Sequence, residues 1–185
     1  VASAAGYPYL ILDSAGTILS VNGSLANAGS VNLGHGSTLT LAGDMTTSSG
    51  SLVFVGSGST VTVNGNLTNS GTLDTSAGSV YGGLYGGGNT VMVTGSFTNS
   101  GAVMMYGSVW GGAGDTLNVT GTLTNNAGGS LTLFDGSNDV ATVATLVNNG
   151  SVGATGQLNI TSNAGLALSG TSGQYSVTGG GPIAV

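Results

Sequence analysis

The chain contains no lysine, no arginine and no cysteine. Glutamate is missing as well, so all six acidic side chains are aspartate and the net charge is −6. Without cationic side chains nothing can neutralise a phosphate backbone, the main source of affinity for nucleic acid. Polybasic attachment to anionic lipid fails for the same reason. The lack of cysteine excludes disulfides and thiolate metal sites. Long apolar runs are absent too. The clearest, Leu10-Ile11-Leu12, falls far short of the roughly 20 residues that span a bilayer, so no membrane insertion is expected. Charged residues make up only 3% of the chain, against about 25% in ordinary soluble domains.

What is abundant is glycine, at 37 of 185 positions. Collagen places glycine at every third position among many prolines; here there is no such period and there are two prolines. Disordered chains combine low hydrophobicity with high charge. Mean hydropathy here is +0.36, and Val, Leu and Ile recur at regular places. The chain is therefore expected to fold, as a single domain covering residues 1–185.

The regularity is a repeat. The stretch from Thr60, TVTVNGNLTNSGTLD, has near-copies beginning at Thr17, Thr38, Thr90 and Thr116, weaker ones at Asp139 and Gln157, and a truncated one at Gln174. Successive starts lie 17 to 30 residues apart, the spacing of stacked supersecondary units. Within a unit Val61 and Val63 alternate with Thr60 and Thr62, the period of a half-buried strand. Gly65 permits a bend, Leu67 returns to the apolar face, Asn69-Ser70-Gly71 makes a turn, and Leu73 resumes the inward set. Glycine and asparagine suit such corners because both tolerate left-handed backbone angles. Three short strands per unit describe one coil of a parallel β-helix. The expectation is an all-β solenoid of about seven to eight coils, its uneven coil length pointing to a right-handed course. Residues 17–179 form the repeats, 1–16 a connector or cap, and 180–185 a tail. A single coil cannot bury enough to order itself, so stability has to come from stacking.

Stacking predicts columns of like residues. Asn27, Asn69, Asn99, Asn125 and Asn148 fall in one turn, with Ser48 in that place in the second unit, and amides so stacked form hydrogen-bonded ladders. Val61, Val63, Leu67 and Leu73 are expected inside, with Val91, Val93, Phe97 and Val103 directly above or below. The units of the form G-[ST]-L-T-N-[SN]-G-[ST]-L resemble bacterial surface β-solenoids, namely autotransporter passenger domains and filamentous-haemagglutinin-type adhesins. The resemblance runs from Thr17 to about Gly179. It implies an extracellular or cell-surface location.

Sites of chemistry are sparse. Glycoside hydrolysis uses a pair of carboxylates, but Asp13, Asp44 and Asp74 fall at different unit positions, so no catalytic residue is assigned and a polysaccharide-active β-helix enzyme is disfavoured. His35 stands in a Gly34-His35-Gly36 loop with no partner motif. No cofactor is expected; the one cation considered is calcium, for which the turns holding Asp115, Asn138 and Asp139 are weak candidates. Two long glycine-rich segments carry Tyr81 and Tyr85, and Tyr106 and Trp110, placing aromatics on loops that suit a contact with glycans, a cell surface or a neighbouring subunit.

Both ends are apolar and uncapped: Tyr7, Tyr9, Leu10, Ile11 and Leu12 at one, Ile183 and Val185 at the other. Residues 7–12 lie outside the repeat register that begins at Thr17. Uncapped coils expose strand edges, so the partner expected is the chain itself, joined end to end as a filament subunit. The alternative is an adhesin or passenger fragment that binds host or glycan surfaces.

Overall fold

The computed structural model describes residues 8–56, 58–75, 87–106, 113–134, 139–154 and 157–161, with the strand backbones 166–167, 174–177 and 183–184. Among the described residues every regular element is a β-strand and every pairing is parallel. Turn one comprises β1 (Tyr9–Leu12), β2 (Ile18–Val21) and β3 (Leu25–Asn27). Turn two follows with β4 (Ser30–Leu33), β5 (Thr38–Leu41) and β6 (Met45–Thr47), and turn three with β7 (Leu52–Val55), β8 (Thr60–Val63) and β9 (Leu67–Asn69). Turn four is β10 (Thr72–Asp74), β11 (Thr90–Val93) and β12 (Phe97–Asn99). In turns five and six the second and third strands fuse, giving β13 (Ala102–Tyr106) with β14 (Thr116–Asn125), then β15 (Ser130–Phe134) with β16 (Val140–Asn148). Beyond these lie β17 (Ser151–Ala154), β18 (Gln157–Ile160), β19 (Leu166–Ala167), β20 (Gln174–Val177) and β21 (Ile183–Ala184).

Like strands stack on like. One sheet runs β1-β4-β7-β10-β13-β15-β17, and a bent second sheet holds the other two strands of each turn. The seven rungs of the first sheet enclose about six turns, fewer than the seven to eight coils expected from the repeat. The last two copies supply β18 with β19 and β20 with β21, and these pair strand for strand, β18 with β20 and β19 with β21.

Alternation decides what is inside. Val61, Val63, Leu67 and Leu73 are buried, and Val91, Val93, Phe97 and Val103 pair with them one turn on. They join a single continuous apolar cluster running from Leu12 to Leu158. Burying a side chain such as Phe97 contributes about 1.5–3 kcal/mol, and each turn supplies such residues to both neighbours.

The register corrects four expectations. Thr17 does not head the first strand: Ile18 pairs with Thr38, so Leu19 and Val21 face inward beside Leu39 and Leu41. In turn two the residue stacked between Asn27 and Asn69 is Thr47 and not Ser48. Asp139 lies one position before its strand, with Val140 paired to Thr116. Residues 9–12 have a place in the register after all: β1 pairs with β4 from Tyr9↔Ser30 to Leu12↔Leu33. A one-residue slip exchanges the two faces of a strand, so burial of the apolar set fixes these pairings.

Candidate functional site: side-chain columns and an open edge

Each corner of the solenoid carries a column of polar side chains, because parallel in-register stacking sets equivalent residues one strand spacing apart. At the corner after the third strand, Thr47 Oγ1 donates to Asn69 Oδ1 at 2.5 Å. Asn69 Nδ2 donates to Asn99 Oδ1 at 2.9 Å, and Asn99 to Asn125 and Asn125 to Asn148 at 2.8 Å each. Asn69, Asn99 and Asn125 also donate to the main chain of a later turn, as Asn99 Nδ2 does to Ser130 O at 3.0 Å. The oxygen caps its own corner, with Gly101 N donating to Asn99 Oδ1 at 3.3 Å. Asn27 occupies the same column but donates to Leu52 O, and its oxygen accepts from Gly29 N. The Thr47 hydroxyl interrupts the chain of amides there.

A second column precedes the first strand of the bent sheet, and its members differ chemically. Ser37 N donates to Ser59 Oγ, Ser59 N to Asn89 Oδ1, Asn89 N to Asp115 Oδ1 and Asp115 N to Asp139 Oδ1, over 2.8–3.2 Å. All five residues are fully buried. Asp115 Oδ2 has no hydrogen-bond partner. Burial is the main force raising the Asp115 carboxyl; the donor groups of Thr75 and Asn89 that face it oppose the rise, nearby Asp139 adds to it, and the pKa stands at about 7. The sequence identifies Asn89, Asp115 and Asp139 as turn residues. It does not identify Ser37 and Ser59 as their companions; the usable signal is that each stands one residue before an outward position of the sheet.

Of the calcium candidates, the structure brings Asp115 and Asp139 together, while Asn138 lies outside the described residues. One oxygen of each aspartate is already committed to a backbone N–H, and calcium takes about six to eight oxygen ligands. Among the described residues no group of three or more His, Cys, Asp or Glu side chains could hold a metal. His35 adopts a left-handed backbone (φ 56°), and its Nδ1 donates to Asp13 Oδ1 at 2.9 Å, one turn away on the surface.

The aromatic candidates divide. Tyr106 is the last residue of β13, paired with Phe134, and not part of a loop. Partial burial, and then Asp74, raise its phenol above the ordinary value. Tyr81, Tyr85 and Trp110 lie outside the described residues, as do Tyr7 and Val185. Ile183 is placed by its backbone in β21, opposite Leu166.

At the first turn β1, β2 and β3 pair on one side only among the described residues. The inward residues Leu10, Leu19, Val21 and Leu25 are only partly buried, although their partners one turn on are buried. Tyr9, Ile11 and Ile18 are 65%, 50% and 72% exposed. A groove of about 100 Å³ opens between β1 and β3, lined by Pro8, Tyr9, Leu10, Leu25 and Val31 among others. Ser30 N and Gly34 N donate to Pro8 O and Leu12 O. By the alternation of a strand, the main-chain groups of Tyr9 and Ile11 are directed to the other, unpaired edge.

No family model, curated protein or solved structure matches this chain.

Proposed function

We propose that this chain is an extracellular structural subunit that builds a filament by stacking solenoids end to end, without catalysis of its own. The observation that carries the reading is the edge of the first turn, three strands that pair on one side only among the described residues, with half-covered Leu10, Leu19, Val21 and Leu25 behind them. At the opposite end β17, β20 and β21 also pair on one side only among the described residues. All strands run parallel, so the first turn of one copy continues the last of another with the same polarity. That contact is heterologous and does not close, which is the geometry of a fibre. Main-chain hydrogen bonds would supply affinity and the alternating side chains would supply register. A chain with no lysine, arginine or glutamate also places little charge in the way of association.

The test uses Ile11→Lys and Ile18→Lys together in the full chain. Both side chains are exposed, and charged edges are what natural sheets use to block strand addition. The variant is expected to keep the wild-type melting temperature and appear as short rods by negative-stain microscopy, where the wild type forms filaments. Filaments of unchanged length in the variant would reject this edge as the connector. Deleting residues 1–12 is a poorer test, because it strips β1 from β4 as well.

A further inference from the structure

We propose that Asp115 is a proton-operated lock in the middle of the solenoid, neutral while the turns are tight and loosening them when it ionises. The inference concerns the fold alone and is independent of filament formation. Asp115 and Asp139 are both fully buried on adjacent turns. Asp115 spends Oδ1 on Asn89 N, while Oδ2 is enclosed and makes no hydrogen bond. A buried carboxylate needs a cation, a full set of donors, or a proton.

The first is missing from the chain, which has no lysine or arginine, and His35 is engaged with Asp13 on the surface. The second is incomplete at Oδ2. From the preceding turn Asp115 is faced by Thr75 and Asn89, both neutral; from the following turn it is faced by Asp139, of its own sign. Among the described residues no other charged group acts on it. The proton is what remains.

The direction follows from linkage. Unfolded, the carboxyl titrates near its ordinary 3.8; folded, it titrates at about 7. Between those values the folded state holds one more proton, so the folding equilibrium weakens about tenfold per pH unit. The stabilisation is complete below about pH 4 and is lost as pH rises through about 7.

Urea denaturation of the full chain between pH 4 and pH 8 tests this, with Asp115→Asn beside the wild type. Asparagine fits the column, since Asn89 already occupies the adjoining rung, accepting backbone N–H groups through Oδ1 and donating from Nδ2 to Thr75 O. The wild-type midpoint should fall as pH rises, and the variant should show a flatter profile and exceed the wild type at pH 8. A variant with the wild-type slope would overturn the proposal. A carbon-13 NMR titration of the wild-type Asp115 carboxyl reads the same event without mutation. A midpoint at about 7 supports the lock, and one near 4 overturns it. Millimolar calcium at pH 8 is the remaining arm: no Asp115-dependent gain in stability is expected. A gain that disappears in Asp115→Asn would make the pair a cation site instead.

Discussion

A single asparagine in this solenoid ties together four turns. Asn99 accepts from Asn69, donates to Asn125 and to Ser130 O, and caps its own corner through Gly101 N. Asn99→Ala would remove these bonds and leave the Asn69 amide and the Asn125 oxygen each short of a buried partner. At roughly 1 kcal/mol per bond, with more for buried groups left unpaired, the loss should be about 3–5 kcal/mol by urea denaturation. The outward, exposed Thr68 provides the control, where alanine should change stability by less than about 0.5 kcal/mol. This column is readable in the sequence because one residue type recurs two positions after the same inward apolar residue. The buried column through Ser37, Ser59, Asn89, Asp115 and Asp139 is much harder to read. Its members share only an oxygen able to accept a backbone N–H, and segments of unequal length separate them.

At the scale of the strand and its corner, glycine has two separate roles, and substitution distinguishes them. A Cβ on Gly101 would lie 2.0 Å from Gly71 O, and one on Gly150 would lie 2.2 Å from Gly129 O. These corners stack backbone directly on backbone. Gly128 is different, with φ +84° and nothing within 4 Å of an added Cβ. Gly101→Ala must therefore push two turns apart and should cost more than about 4 kcal/mol, in the range of severe core lesions. Gly128→Ala meets only the left-handed backbone penalty of about 1–2 kcal/mol. Equal losses in thermal melts would contradict the distinction. The strands themselves were legible from alternation, but their register was not wholly so. The eye aligns Thr17 with Thr38 because both are threonine, yet outward positions carry no obligation to match. Leu19 and Val21 must meet Leu39 and Leu41, and that requirement moves the unit by one residue. Ser48 misaligns with Asn69 for a related reason: the corner from Ser48 to Ser51 is two residues longer than Ser70-Gly71, and nothing within the corner marks the insertion.

Over the whole molecule, stability arises from contacts between turns and hardly at all from charge. Among the described residues the ion pair is His35 with Asp13, exposed on both sides, and exposed pairs contribute about 0–1 kcal/mol. The six aspartates are otherwise unopposed by any lysine or arginine, so the long-range electrostatic term is self-repulsion. Added salt shortens the Debye length from about 10 Å at 0.1 M to about 3 Å at 1 M. It should therefore relieve repulsion while leaving apolar stacking and backbone ladders intact. The melting temperature is expected to hold or rise between 0.1 and 1 M sodium chloride, and to rise further in sulfate, which strengthens apolar burial by exclusion from the surface. Filaments joined through β1, β2 and β3 should respond in the same direction, since Leu10, Leu19, Val21 and Leu25 bring no charge to the contact. Sedimentation across the salt series reads this directly. A melting temperature that falls with sodium chloride would mean that attraction between charges holds the turns together. Filaments that dissolve in salt while the fold survives would point instead to a polar connector, and the first-turn edge would lose its claim to the joint.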